Sequence, residues 1–270
     1  MTWWEALILG LVQGLTEFLP VSSSGHLVLG AHVLGLEAEG DVVFEVFVHF
    51  GTALSIIWVY RERIVGLIME TLRSLAAPGR LVESYRERED FRLAMLILLT
   101  LIPTGLAYVL FKDPIEAAFS SPRFAAGMLL VTGTLLLLTV WRSGGEKPVG
   151  PLKALVIGAA QAMAMFPGIS RSGSTICTAL YMDVEPEKAA NFSFLMLLPV
   201  VIGATVLKTG ELMQASSVDW VPIVTGTAIA FVSGIAAIHL VLDFVRRGKL
   251  QYFAVYCYIV GVLGLVLIPG

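Results

Sequence analysis

Phe18-Leu-Pro20-Val-Ser22-Ser-Ser-Gly25-His26 interrupts one apolar run of this chain, and Pro167-Gly-Ile-Ser170-Arg171-Ser-Gly173-Ser-Thr175 interrupts another. Trp3 to Phe18 leads into the first break and the chain resumes from His26 to Leu36. Ala154 to Phe166 leads into the second, which resumes from Thr175 to Met182. Each half is too short to cross a bilayer, which takes about 20 apolar residues. Irregular backbone at membrane depth survives only when buried in protein or facing a water-filled cavity. Both regions therefore read as re-entrant helix-loop-helix hairpins.

Six further stretches are apolar and long enough to span: Val42 to Tyr60, Phe91 to Phe111, Phe124 to Trp141, Ala189 to Leu207, Val221 to Phe244 and Gln251 to Ile268. Composition agrees. Of 270 residues 57% are hydrophobic and 14% charged, where a soluble domain carries about 25% charge, and the mean hydropathy is +0.83. A water-soluble domain is excluded. The net charge of −3 and the lack of a long basic run exclude a nucleic-acid partner. The expected fold is an all-α integral membrane protein, one polytopic domain over residues 1–270. No Lys or Arg precedes Arg61, so no cleavable signal peptide is expected. Cys177 and Cys257 form neither a close pair nor a metal-spaced cluster and read as core.

Shifting the chain by 148 positions aligns Ala6, Leu7, Gly10, Gln13, Phe18, Ser22, Ser24 and Gly25 with Ala154, Leu155, Gly158, Gln161, Phe166, Ser170, Ser172 and Gly173. Eight identities in 20 ungapped positions exceed the roughly one or two that chance supplies and indicate an internal repeat. Repeat one covers about residues 1–145 and repeat two about 146–270. Each unit holds one returning hairpin and three crossings, an odd number, so the repeats are expected in inverted topology. The loops on the Arg61 side carry 13 Lys and Arg against three on the other. The positive-inside rule then puts the Arg61 side in the cytoplasm and both termini outside. The first hairpin enters from the outer face, the second from the cytoplasm, and their tips are expected to meet near the midplane.

The first tip offers Glu17, Ser22, Ser23, Ser24 and His26; the second offers Gly168, Ser170, Arg171, Ser172, Gly173, Ser174 and Thr175. An ionisable group near the bilayer centre costs about 2.5–3.5 kcal/mol on insertion scales and needs a partner or a task. Arg171 presents a planar fork suited to phosphate, and the starts of the resumed helices add positive ends. Hydroxyls, amides and one guanidinium describe an anion site. Glu17 and His26 are the proton-transfer candidates, Ser23 or a water that these residues activate is the candidate nucleophile, and Arg171 is the group that neutralises phosphoryl charge. Ser22, Ser24, Gly168, Ser170, Ser172, Gly173 and Thr175 are candidate substrate contacts. Gln13, one turn before Glu17, faces substrate, metal or the Glu17 carboxylate. Glu45 and His49 read either as a local buried pair or as support around the site. Gly10, Gly14 and Gly158 read as close helix packing, and the charged stretch Arg61 to Arg92 as a solvated connection with short amphipathic helix.

Gln13-Gly-Leu-Thr-Glu17-Phe-Leu-Pro20-Val-Ser-Ser-Ser-Gly-His26 and Pro167-Gly-Ile-Ser-Arg171-Ser-Gly-Ser-Thr175 resemble the two signatures of the bacitracin-resistance family of undecaprenyl-diphosphate phosphatases. The resemblance implies a bacterial inner-membrane enzyme that removes the terminal phosphate of undecaprenyl diphosphate; with the first hairpin dipping in from outside, the site is expected to face the outer side. It also implies inverted repeats with two re-entrant hairpins, catalytic roles for Glu17, Ser23, His26 and Arg171, and a divalent cation, magnesium or calcium. Glu17 and substrate oxygens are the expected cation ligands. Many relatives carry glutamate where this chain has Gln13, so Gln13 takes a supporting role. The expected partners are a polyprenyl diphosphate lipid and the bilayer, with a homodimer as the candidate assembly. Type-2 phosphatidic acid phosphatases share Ser-Gly-His and Ser-Arg, but Cys177 and Tyr181 stand where that family has histidine and aspartate. The alternative function is a polyprenyl-phosphate flippase or secondary transporter on the same inverted repeats.

Overall fold

A computed structural model describes residues 1–34, 42–141, 144–214 and 219–268. Among the described residues the fold is helical apart from one isolated bridge between Lys147 and Val184. In chain order the helices are α1 (Trp3–Phe18), α2 (Ser23–Leu34), α3 (Val42–Val59), α4 (Arg61–Leu75), α5 (Leu81–Glu87), α6 (Glu89–Phe119) and α7 (Pro122–Leu138). They continue as α8 (Pro151–Met163), α9 (Arg171–Tyr181), α10 (Pro186–Leu195), α11 (Leu197–Gln214), α12 (Trp220–Arg246) and α13 (Gln251–Leu267).

Local chemistry sets the starts. A reciprocal Thr2–Glu5 capping box opens α1. Pro122 sits in the first turn of α7 behind Ser121, whose hydroxyl accepts from Phe124 N–H. The carboxylate of Asp219 accepts from Val221 N–H at the head of α12.

Both expected breaks are present, yet the helices after them begin earlier than the apolar pattern alone indicated, at Ser23 rather than His26 and at Arg171 rather than Thr175. Serine explains the shift. Ser22 Oγ accepts from Gly25 N–H at 3.2 Å and Ser170 Oγ from Gly173 N–H at 3.0 Å, so each satisfies a donor that a helix start leaves free. α1 and α8 begin 148 residues apart, as do α2 and α9, the same offset that aligns the sequence. Residues 35 and 36, where the first resumed run was expected to end, and Arg142 lie outside the described residues.

Three helices, Glu89–Phe119, Pro186–Val206 and Trp220–Arg246, are long and apolar enough to cross a membrane. A fourth span arises if α3 and α4, bent by 84°, are taken together. The other two stretches read as spans form α7 and α13, of 17 residues each, at the short end of the roughly 17–25 that crossing requires. Two of the long helices are distorted where proline sits. Phe111 in α6 has φ −125° and ψ 21°, three residues before Pro114, whose ring has no N–H and collides with the carbonyl four residues back. The Ala189 to Leu207 run is likewise divided at Met196 between α10 and α11, with Pro199 following. Leu98, Ile102, Leu106, Val109 and Leu110 leave one face of α6 apolar and exposed, a surface suited to lipid.

The halves interlock. α1 packs on α12, α8 on α6, and α7 on α13. A Cβ on Gly10 would lie 2.5 Å from Gly226 O, and one on Gly158 would lie 2.6 Å from Thr100 O. The glycines read as packing positions are thus where backbones touch. Phe18, fully buried, meets Phe194 edge-on at 5.5 Å and anchors the end of α1 beside the second break. The charged connection forms α4, a short 3₁₀ turn and α5. Val65, Ile68, Met69, Leu72 and Leu75 are exposed on α4, while Arg63 pairs with Asp90 at 2.9 Å and Glu70 with Arg73 and Arg88.

Candidate active site

The breaks touch. A Cβ on Gly25 would fall 2.8 Å from Gly168 Cα, and one on Gly173 would fall 3.3 Å from Pro20 Cβ. Ser172 Oγ donates across the contact to Leu19 O at 3.3 Å. Gly168 has φ +95°, and a Cβ there would come 2.1 Å from Ala125 O on α7, so only glycine fits the turn.

Glu17 is the centre of the contact. Its Oε1 accepts from Arg171 Nη2 at 2.8 Å. Its Oε2 accepts from Ser23 Oγ at 2.8 Å and from Gln13 Nε2 at 3.0 Å, and His49 Nε2 stands 3.9 Å away. The Glu17 side chain is 6% exposed and that of Arg171 13%. A pair this buried is kept because neither charge can be left alone: breaking one by removing a partner costs about 3–5 kcal/mol. Arg171 Nη1 donates to Ser193 O at 2.9 Å, whereas its Nε has no hydrogen-bond partner although buried. Ser174 Oγ and Gln13 Oε1 are also buried without partners. Arg171 Nε and Gln13 Oε1 thus belong to two residues that both hydrogen-bond Glu17, and each keeps a polar atom free for a further partner.

The remaining expected site residues divide by what they touch. Ser22 and Ser24 hydroxyls stand 3.3 Å apart, as Ser170 and Ser172 do at 3.2 Å; Ser22, Ser170 and Ser172 are buried. Thr175 is buried, its hydroxyl 2.6 Å from Ser193 Oγ. Both ring nitrogens of His26 meet groups other than Ser23: Nδ1 donates to Ser22 O at 2.7 Å and Nε2 lies 2.8 Å from Tyr256 OH. His49 reaches toward Glu17 from α3, its Nε2 3.9 Å from Oε2, while its Nδ1 bonds Glu45 O at 2.8 Å.

Three contributors escaped the sequence reading. Thr132 of α7 donates to Gly168 O at 2.7 Å and accepts from Ser170 N–H at 2.9 Å, pinning the second break. Ser193 of α10 holds Arg171 and Thr175, and Tyr256 of α13 holds His26. Each is a polar residue inside an apolar run, a signal that counts only once a partner is known.

Relatives locate this arrangement in a family. The model for bacitracin resistance protein BacA matches residues 6–263. A protein of Salinibacter ruber named undecaprenyl-diphosphatase is 59% identical, over 99% of this chain and 100% of its own length. Proteins of the same name from Desulfatibacillum aliphaticivorans and Bacteroides fragilis are 38% and 39% identical, each over 98% of this chain and over 99% and 98% of their own. Agreement over essentially the whole length, joined to the two breaks converging on Glu17, leads to one conclusion: the chain belongs to the bacitracin resistance protein BacA family.

Proposed function

We propose that this protein is a membrane phosphatase that hydrolyses undecaprenyl diphosphate to undecaprenyl phosphate and inorganic phosphate, returning the carrier lipid to cell-wall synthesis. The observation that carries the proposal is the Glu17 carboxylate holding Ser23 and Arg171 at once, 2.8 Å from each.

Of the two candidate bases, Glu17 is the one hydrogen-bonded to Ser23. Glu17 Oε2 takes the hydroxyl proton as Ser23 Oγ attacks the terminal phosphorus, and the bond from that phosphorus to the bridging oxygen breaks. Undecaprenyl phosphate leaves; water then hydrolyses the phosphoserine and releases phosphate. Arg171 lies against the developing charge with its unpartnered Nε available to a phosphoryl oxygen. Direct attack by a Glu17-activated water uses the same groups without the phosphoserine.

The oxygen-only donors Glu17, Ser23 and the unpartnered Gln13 Oε1 suit a hard cation such as magnesium or calcium. Among the described residues no group of three or more His, Cys, Asp or Glu could hold a metal, so substrate oxygens would complete the shell. Bound there, the cation would supply charge neutralisation to the diphosphate.

For the topology, we read six crossings and two re-entrant hairpins in inverted repeats. The cytoplasm lies on the Arg61 side, both termini lie outside, and the site opens outward in the bacterial inner membrane. Support comes from the clustering of basic segments. Tyr60 OH donates to Asn191 at 2.7 Å and Arg246 grips Glu187 at 2.7 and 3.1 Å, joining three of those segments at one end. The test is phosphate release by purified protein in detergent, with and without chelator, where transport has no compartments to act between. Hydrolysis lost on chelation supports the reading; no hydrolysis with either metal overturns it and favours a flippase. Trapping labelled phosphoserine at Ser23 distinguishes serine from water as nucleophile.

A further inference from the structure

We propose that His26 is a positioning residue, not the acid–base group, and that Tyr256 completes it: a Tyr256–His26–Ser22 chain clamps the first break so that Ser23 meets Glu17. The inference rests on the phosphatase reading and deepens it.

A carbonyl oxygen only accepts, so the 2.7 Å contact between His26 Nδ1 and Ser22 O puts the proton on Nδ1. In the neutral ring Nε2 is then the acceptor, and it takes the Tyr256 hydroxyl at 2.8 Å. The rings lie stacked, centroids 5.5 Å apart and planes 7° from parallel. The lone pair a general base would use is therefore occupied by a residue of α13, and the Ser23 hydroxyl is bonded to Glu17.

What the ring holds is an unusual piece of backbone. Ser22 has φ 71°, a left-handed conformation that side chains other than glycine seldom adopt. Its carbonyl accepts twice from His26, from the backbone N–H at 3.2 Å and from Nδ1. Ser23 follows directly, and its short side chain has no reach of its own, so the backbone must deliver the hydroxyl. The second break supplies the contrast. The residue 148 positions after His26 is Ser174, which has no ring to clamp with. Ser170 is absent from the positive-φ residues. There the equivalent of Ser23 is Arg171, whose long side chain reaches Glu17 unaided. Cys257, next to Tyr256, also faces this break, its Sγ 3.9 Å from Pro20 O.

The test uses the full chain in detergent with a polyprenyl diphosphate. His26→Asn keeps an N–H donor where Nδ1 stood, and Tyr256→Phe keeps the stacked ring without the hydroxyl. The expected kcat falls about fivefold in Tyr256→Phe, the loss of one hydrogen bond, with KM unchanged. His26→Asn stays within about tenfold of wild type, below the about 10²–10⁴-fold loss of an acid–base group, and keeps both limbs of the pH profile. The double variant is no slower than His26→Asn, because one chain is being cut twice. A larger loss in folded His26→Asn, a vanished pH limb, multiplying effects, or an unaltered Tyr256→Phe overturns the proposal. Nitrogen-15 spectra of labelled histidine test it without activity: a neutral Nδ1–H signal that shifts in Tyr256→Phe is expected, and its absence overturns the clamp. Wild-type protein that hydrolyses nothing would instead count against the phosphatase reading.

Discussion

Ser23 and Arg171 each begin a helix after a break, stand 148 positions apart in the chain, and both hydrogen-bond the same carboxylate, that of Glu17. The position matching Glu17 in the second repeat is Met165. One acid thus gathers both breaks, and the position aligned with it carries no carboxylate.

Arg171→Lys keeps the charge and loses the fork that serves Glu17 and Ser193 O together. The expected kcat/KM falls by about 10²-fold or more, as when one preorganised donor is removed. Arg171→Ala leaves the buried Glu17 carboxylate without its guanidinium partner and is expected to lower stability by up to about 3–5 kcal/mol. Phosphate-release assays and thermal unfolding in detergent separate the two effects.

Glu17→Gln and Ser23→Ala remove the two ends of one 2.8 Å hydrogen bond. Each is expected to lower kcat by about 10²–10⁴-fold, and the double variant to be no worse than the poorer single, since the groups act as a unit. Independent, multiplying losses in steady-state kinetics would contradict the pairing.

Thr132→Val keeps shape and deletes the hydroxyl that bonds Gly168 O and Ser170 N–H. Leaving those backbone groups buried and unpaired is expected to cost about 1–3 kcal/mol, read as a lower unfolding midpoint, with kcat reduced because Arg171 follows Ser170.

Gly168→Ala meets Ala125 O at 2.1 Å in a left-handed turn, whereas a Cβ on Gly150 meets nothing within 4 Å. The first substitution is expected to destabilise by at least about 1–3 kcal/mol from backbone strain alone, and Gly150→Ala to leave the midpoint within about 0.5 kcal/mol. Equal midpoints for the two variants would show that the second break does not pack on α7 as described.

The buried Cys177 and Cys257 leave a quiet background for labelling. With cysteine placed at Arg86 or at Lys112, an impermeant maleimide applied to intact spheroplasts is expected to label position 112 and spare position 86. The reverse pattern would invert the topology.

Much was legible in the chain itself. The long apolar helices and the two breaks follow from the apolar runs and their interruptions, because backbone in lipid must satisfy its own hydrogen bonds, and the 148-residue offset carries directly into the helix starts. Glu17 and Arg171 could be matched in advance, since opposite charges in apolar segments need each other. What only the tertiary structure decided is the choice of neighbours. Thr132, Ser193 and Tyr256 look like ordinary polar residues of apolar helices until packing sets them against Gly168, Arg171 and His26. The direction of the His26 ring was likewise invisible. Periodicity reports which face of a helix is apolar, while a hydrogen bond is settled by tenths of an ångström between elements far apart in the chain.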